Sequence, residues 1–282
     1  MSEIQAGEGD TRVPGRDSRL SADNLSIGYE EKSVIADLSV EVLDGRITAI
    51  VGPNACGKST LLRGFARLLK PSGGQVILDG QDIGSLHTKE VARRLGLLPQ
   101  TSIAPEGITV ADLVSRGRFP HQKVLRQWSR SDDEAVVEAM RCTGVSDLSG
   151  RLVDELSGGQ RQRVWVAMVL AQQTPLVLLD EPTTYLDIAH QVELLDLFAM
   201  LNRERDRTVV AVLHDLNHAC RYADQIIAMK SGSIVAQGDP KSVITEELVE
   251  AVYGLKCQII DDPQTGTPLV VPRASPHVRA RT

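Results

Sequence analysis

Apolar and polar positions change their period several times along this chain, and each change predicts a different element. From about Leu20 to Tyr29, and again across Leu38–Leu43, they alternate as half-buried strands do. Asp44-Gly45 then gives a hairpin-type turn signal. The run Ile47–Val51 is apolar without a break and ends at Gly52, the pattern of a central strand buried on both faces. Helical periodicity follows over Lys58–Leu69, with Pro71 closing the helix. Further buried-strand runs are Val76–Leu78, Leu95–Leu98, Leu176–Leu179 and Val209–Leu213. Helical stretches lie between several of them, and that alternation predicts an α/β sheet core.

Residues 101–172 break this rhythm. They carry helical signals at Val110–Arg116, Asp132–Cys142 and Gly158–Gln172 and little strand character, so they are expected to form a helical lobe inserted into the sheet domain. After Ile226–Met229, Gly232 and Gly238 punctuate short strands, and Thr245–Val252 has helical character. Residues 1–18 and 273–282 are polar and spotted with Gly, Pro and Arg; disorder is expected there, leaving one domain over 19–272. No internal repeat is visible.

Composition narrows the class. The chain has 282 residues, 42% hydrophobic and 24% charged, as in an ordinary globular protein, but only 3% aromatic, so the core must be aliphatic. A net charge of −6 argues against a broad nucleic-acid surface. The 4 cysteines, Cys56, Cys142, Cys220 and Cys257, are scattered with no CxxC pair, which suits a reducing compartment. No window reaches the ~18 apolar residues that span a bilayer, and the N-terminus lacks the apolar core of a signal peptide. Work at a membrane would need a partner to hold the chain there.

Three segments carry candidate chemistry. Gly52-Pro53-Asn54-Ala55-Cys56-Gly57-Lys58-Ser59 fits G-x-x-x-x-G-K-[ST], set between a strand and a helix as a phosphate-binding loop requires. Loop amides and the helix N-terminus form an anion site, Lys58 can bridge β- and γ-phosphates, Ser59 can ligate Mg²⁺, and Thr60 can reach the α-phosphate. Asp180-Glu181 ends a buried strand run; Asp180 is placed to hold Mg²⁺ and Glu181 to polarise an attacking water. Leu156-Ser157-Gly158-Gly159-Gln160 precedes a helix, with Ser157 as a good N-cap and two glycines that let backbone approach a ligand. Cys56, inside the phosphate loop, is expected chiefly as a small space-filling residue, although a helix N-terminus also lowers a thiol pKa. His214 and His218 form H-x-x-x-H, but Asp215 stands where a zinc hydrolase needs Glu and no third ligand is evident.

The ordered set Gly52–Ser59, Gln100, Leu156–Gln160, Leu179-Asp180-Glu181, Leu186-Asp187 and His214 resembles the ATP-binding subunit of an ABC transporter, over about Leu20–Pro272. The resemblance implies an α/β P-loop NTPase core with an N-terminal antiparallel β region and an inserted helical subdomain. It implies that Tyr29 stacks on adenine, that Gln100 contacts Mg²⁺ and water and senses the membrane subunit, and that His214 contacts the γ-phosphate. Ser157, Gly158, Gly159 and Gln160 would meet ATP held by a second copy, and Asp187 would couple the two sites. One chain carries one of each motif, and in the family these halves meet only across an interface, so the resemblance implies that two copies pack head-to-tail about a two-fold axis to close two ATP sites. The implied partners are a second copy, integral-membrane permease subunits and, indirectly, an extracytoplasmic substrate-binding protein, with the chain peripheral on the cytoplasmic face of the cell membrane.

Several segments resemble a narrower branch, the ATPases of ferric-siderophore importers, with vitamin B12 and haem importers as close relatives. They are Gly52-Pro53-Asn54, Gly117-Arg118-Phe119-Pro120-His121, residues 181–191, residues 213–224 and residues 262–271. The Gly117–His121 stretch lies in the helical lobe, where a permease is expected to dock. Ala55 departs from the branch, many members having Gly there; if the position needs a positive φ, Ala costs about 1 kcal/mol. A soluble ABC ATPase acting on ribosomes or DNA is the competing class, but paired cassettes and coiled coils are missing. An export ATPase would often be fused to membrane helices.

Overall fold

One face of β1 (Leu20–Tyr29) is buried through Leu20, Ala22, Leu25 and Ile27, and the two-residue period slips between Ala22 and Leu25 where the ladder is irregular. The computed structural model describes residues 18–29, 32–100, 103–122 and 128–273; the expected tails at 1–17 and 274–282 lie outside them. Ser18 and Arg273, assigned to those tails on sequence, are tied into the fold: Ser18 Oγ donates to Val42 O at 3.0 Å and Arg273 N to Lys256 O at 2.9 Å.

β1 pairs antiparallel with β2 (Lys32–Val42) and with β4 (Gly73–Leu78), whose other edge carries β5 (Gln81–Asp82). Val76–Leu78 therefore belongs to this outer sheet and not to the α/β core, since three apolar residues cannot specify which sheet they join. The Asp44-Gly45 turn forms but closes no hairpin. It carries the chain from β2 into a different sheet, pinned by Thr208, whose hydroxyl donates to Asp44 Oδ1 (2.7 Å) and accepts from Gly45 N (2.9 Å).

The second sheet runs β10 (Ser233–Gly238), β9 (Gln225–Lys230), β3 (Ile47–Val51), β8 (Thr208–Val212), β7 (Leu176–Asp180), β6 (Leu95–Leu98). All neighbours are parallel except β9 and β10. Alternate residues divide between two cores. Ile50, Val210 and Ile227 pack toward β1, β2 and α1 (Lys58–Phe65). Ala49, Val209 and Ile226 pack toward α5 (Gly158–Ala171), α6 (Ile188–Arg205) and α7 (Leu216–Tyr222). Such double coverage is why these strands read as unbroken apolar runs. α1 stops four residues before Leu69, because Arg67 turns left-handed at φ 58°.

α2 (Thr88–Arg94) precedes β6. Between β6 and the adjacent β7 the chain forms α3 (Val110–Ser115), a 3₁₀ segment Arg116–His121, α4 (Arg130–Cys142) and α5, with α3, α4 and α5 packed together. After β10 come α8 (Pro240–Val243), α9 (Glu246–Tyr253) and the hairpin of β11 (Cys257–Asp261) and β12 (Pro268–Pro272). That hairpin docks on α7: Asn217 Oδ1 accepts from Val270 N at 2.7 Å, and Arg221 pairs with Asp262 at 2.6 Å. Among the described residues no helix is long and apolar enough to cross a membrane.

Packing accounts for most of Gly117–His121. A Cβ on Gly117 would stand 2.2 Å from Met168 O, so no side chain fits. Arg118 is buried, its Nε 2.8 Å from Asp132 Oδ1 and its Nη1 2.7 Å from Ala171 O, and His121 Nε2 bonds Gln172 O at 2.7 Å. Only Phe119 turns fully outward. Removing one partner of a buried ion pair strands the other's charge, so Arg118→Leu is expected to cost about 3 kcal/mol in denaturant unfolding. Arg118→Leu combined with Asp132→Leu should recover part of that loss. A double variant no more stable than the single one contradicts this account.

Candidate active site

Parallel strands ending at one level leave a crevice beyond their C-terminal ends. Here the loop after β3, the ends of β6 and β7 and the residues after β8 line it. The loop after β3 is bent by Gly52 at φ 151°, Ala55 at φ 60° and Gly57 at φ 109°. Only glycine fits at 52, since a Cβ would lie 2.3 Å from Met229 O. Ala55 does sit in the left-handed region, at a cost of about 1 kcal/mol. α1 starts at Lys58 with Gly57 as its N-cap, which offers no side chain to its first amides, and its first turn has no acidic residue. Uncapped amides at a helix N-terminus favour an anion.

The ends of the strands bring charged groups to this loop. Lys58 is only 5% exposed, and its Nζ donates to Gly52 O (2.8 Å) and Pro53 O (2.9 Å). Ser59 Oγ donates to Asp180 Oδ1 at 2.7 Å. Asp180 is 1% exposed, and burial pushes its carboxyl pKa up against the opposing pull of the Ser59 hydrogen bond. Glu181 leaves β7 at φ 54°, a left-handed conformation that side chains disfavour. Both its oxygens are engaged: Oε2 accepts from Gln100 Nε2 and Oε1 bonds His214 Nε2, each at 2.7 Å.

A cavity of about 540 Å³ is lined by Tyr29, Val34, residues 54–60, Gln100, Glu181 and His214. That volume suits a small-molecule site. Of the residues expected there, Gly52 and Pro53 act through their carbonyls on Lys58, and Asp180 acts through Ser59. Cys56 is buried with its Sγ close under Gly52, as a space-filling residue would be. Tyr29 stands at the rim, its hydroxyl accepting from Arg63 Nη1 at 2.9 Å. Sequence reasoning missed Val34 and Arg63. Arg63 had a signal, one helical turn after Ser59; Val34 had none beyond strand alternation.

Ser157, Gly158, Gly159, Gln160 and Asp187 do not line this cavity. Ser157 caps α5 in a reciprocal box: its Oγ accepts from Gln160 N (3.3 Å) and its N donates to Gln160 Oε1 (3.2 Å). Gly158 and Gly159 lie against Tyr185 and Leu186 of the same chain. Asp187 caps α6, and the His190 amide, then its ring, hold the Asp187 carboxyl pKa below the usual range. His218 packs edge-on to Tyr222, ring centroids 6.5 Å apart.

Comparison with known proteins follows the same lines. The profile of the ABC transporter family matches residues 35–184. The ferric enterobactin transport ATP-binding protein FepC of Escherichia coli (strain K12) is 57% identical over 255 residues, covering 90% of this chain and 94% of its own. An inward-facing structure of a metal-chelate type ABC transporter aligns with a TM-score of 0.78 at 27% identity, covering 92% of this chain and 98% of that one. A dimeric structure of a bacterial ABC transporter cassette aligns with a TM-score of 0.71 at 27% identity, covering 78% and 98%.

The raised pKa of Asp180 has a sign that can be tested. The folded chain holds that proton more tightly than the unfolded one, so stability falls as pH rises from the ordinary carboxylate range through the raised value. At neutral pH the buried charge opposes folding. Asp180→Asn keeps an oxygen for the Ser59 hydroxyl and is expected to raise the unfolding midpoint of the ligand-free protein at pH 7. A lowered midpoint would show that the carboxylate is not strained.

Proposed function

The chain belongs to the ABC transporter family, and on that premise we propose that it is the ATP-binding and ATP-hydrolysing subunit of an importer for iron(III)–siderophore complexes. The observation that carries the proposal is Glu181 clamped between Gln100 and His214 beside the Ser59–Asp180 pair, on the cavity that holds the phosphate loop. Cargo is argued from the 57% identity to a ferric enterobactin subunit, extending over nearly all of both chains.

The residues suit ATP with Mg²⁺. Lys58 spends two of its three N–H donors on the loop, leaving one for the β- and γ-phosphate oxygens. The α1 amides and Thr60 would take the remaining phosphate oxygens, and Tyr29, its hydroxyl held by Arg63, would stack on adenine. Ser59, Asp180 and Gln100 present the hard oxygen donors that Mg²⁺ prefers, and a buried carboxylate such as Asp180 is stabilised by a cation. When bound, Mg²⁺ would neutralise charge developing on the phosphoryl oxygens. Glu181 would accept the proton of the attacking water; Gln100 and His214 fix the direction of its oxygens, and His214 would also contact the γ-phosphate.

The site needs a second copy. Ser157 uses an acceptor lone pair for its cap, which leaves its O–H to donate to a phosphate on the partner. Tyr185 and Ile188 are 81% and 78% exposed next to that helix end, an apolar surface suited to the two-fold contact, and Asp187 between them would link the two sites. Within the ABC domain at 19–272, we assign the helical stretch 101–172 to docking on integral-membrane permease subunits at the cytoplasmic face. An extracytoplasmic binding protein would deliver the cargo.

Uptake tests cargo and chemistry together. Wild-type chain should restore uptake of labelled ferric siderophore to a strain lacking it, whereas Glu181→Gln should bind ATP yet lose at least ~10²-fold in hydrolysis and all uptake. Restored cobalamin uptake without siderophore uptake would contradict the cargo, and near-wild-type hydrolysis would remove Glu181 as the base.

A further inference from the structure

Tyr29 is the last residue of β1, opposite Lys32 where the ladder with β2 ends. It is 41% exposed, and among the described residues no other ring stacks on it. An aromatic side chain so placed can turn about two torsions, and pinning it over a nucleobase would cost that freedom. Among the described residues one side-chain hydrogen bond restrains the ring: the phenol oxygen accepts from Arg63 Nη1 at 2.9 Å.

Helix α1 brings Arg63 to that place. Ser59, which ties α1 to Asp180, lies one helical turn earlier and so on the same face. Gly64 lets the helix close on β1, since a Cβ there would stand 3.1 Å from Ile27 Cδ1. A cation in the last turn of α1 also suits the helix dipole. Arg63 does not itself line the cavity, whereas Tyr29 does, so its direct path to a nucleotide runs through the Tyr29 ring. Its charge acts at longer range as well: burial raises the Asp180 pKa most, and Arg63 is among the cations that oppose it. A general attraction for phosphate and a hold on the base platform are separate effects, and they fall on different parts of a nucleotide.

We propose that Arg63 is a positioning residue for nucleotide binding, holding the Tyr29 ring in place as the platform for the nucleobase. This rests on the reading of the cavity as an ATP site. Fixing the ring before the ligand arrives removes an ordering cost from association. A single hydrogen bond of this kind is worth about 5-fold in affinity.

The test measures ADP and pyrophosphate binding to the full chain by calorimetry, without Mg²⁺. Both probes carry a diphosphate, and only ADP carries a nucleoside. Arg63→Met should weaken ADP about 5-fold more than pyrophosphate, and in a Tyr29→Phe background that extra loss should disappear. An equal effect on both probes, or an extra ADP loss that survives in Tyr29→Phe, overturns the proposal. Tyr29→Leu examines the premise separately: it should weaken ADP and spare pyrophosphate. ADP bound as tightly by Tyr29→Leu as by wild type would remove the adenine platform, and the proposal with it.

Discussion

The hydrogen bond from Ser59 to Asp180 is the constraint on which the site depends, because it ties the start of α1, which follows β3, to the end of β7, and these two strands are not neighbours. β3 and β7 are separated by β8, and their ends meet only if all three run parallel in one register. Ile50 stands level with Val212, and Val212 with Asp180, so the residues that follow each strand emerge at the same edge. Slipping β7 by one residue would turn Asp180 to the opposite face and break the pair. The aliphatic double coverage of these strands, which makes such a slip costly, is therefore part of the chemistry.

The motifs were legible because each is local: a phosphate loop is a run of residues whose spacing is its geometry. Buried strands were legible for a similar reason, as β3, β7 and β8 follow the unbroken runs closely. What the sequence hid was non-local. Val76–Leu78 could not reveal that its partner was β1, and Asp44-Gly45 could not reveal that the next strand left the sheet. Gly117–His121 resembled a partner-facing signature, yet Met168, Asp132 and Gln172, up to 51 residues away along the chain, account for Gly117, Arg118 and His121. Val34 reaches the cavity through the antiparallel sheet, with nothing in its neighbourhood to mark it.

Three of the 10 non-glycine residues with positive φ among the described residues lie where the chemistry is expected. Ala55, Glu181 and Tyr185, none of them glycine, hold φ of 60°, 54° and 69° around the phosphate loop and the exit of β7. Such residues persist only where the surroundings over-determine them. For Glu181 the surroundings are Gln100 and His214, and for Tyr185 they include Gly158 at the start of α5. The exit of β7 thus meets the start of α5 within one chain, while Ser157, Gly158, Gly159, Gln160 and Asp187 stay outside the cavity of the phosphate loop.

That a single copy holds only half a site is the central claim, and the mass of the nucleotide-bound protein tests it most directly. Sedimentation of Glu181→Gln should give a monomer without nucleotide and a dimer with ATP and Mg²⁺, and adding Ser157→Arg to that chain should return it to monomer. A Glu181→Gln chain that stays monomeric at saturating ATP, or a dimer indifferent to Ser157→Arg, would contradict the account.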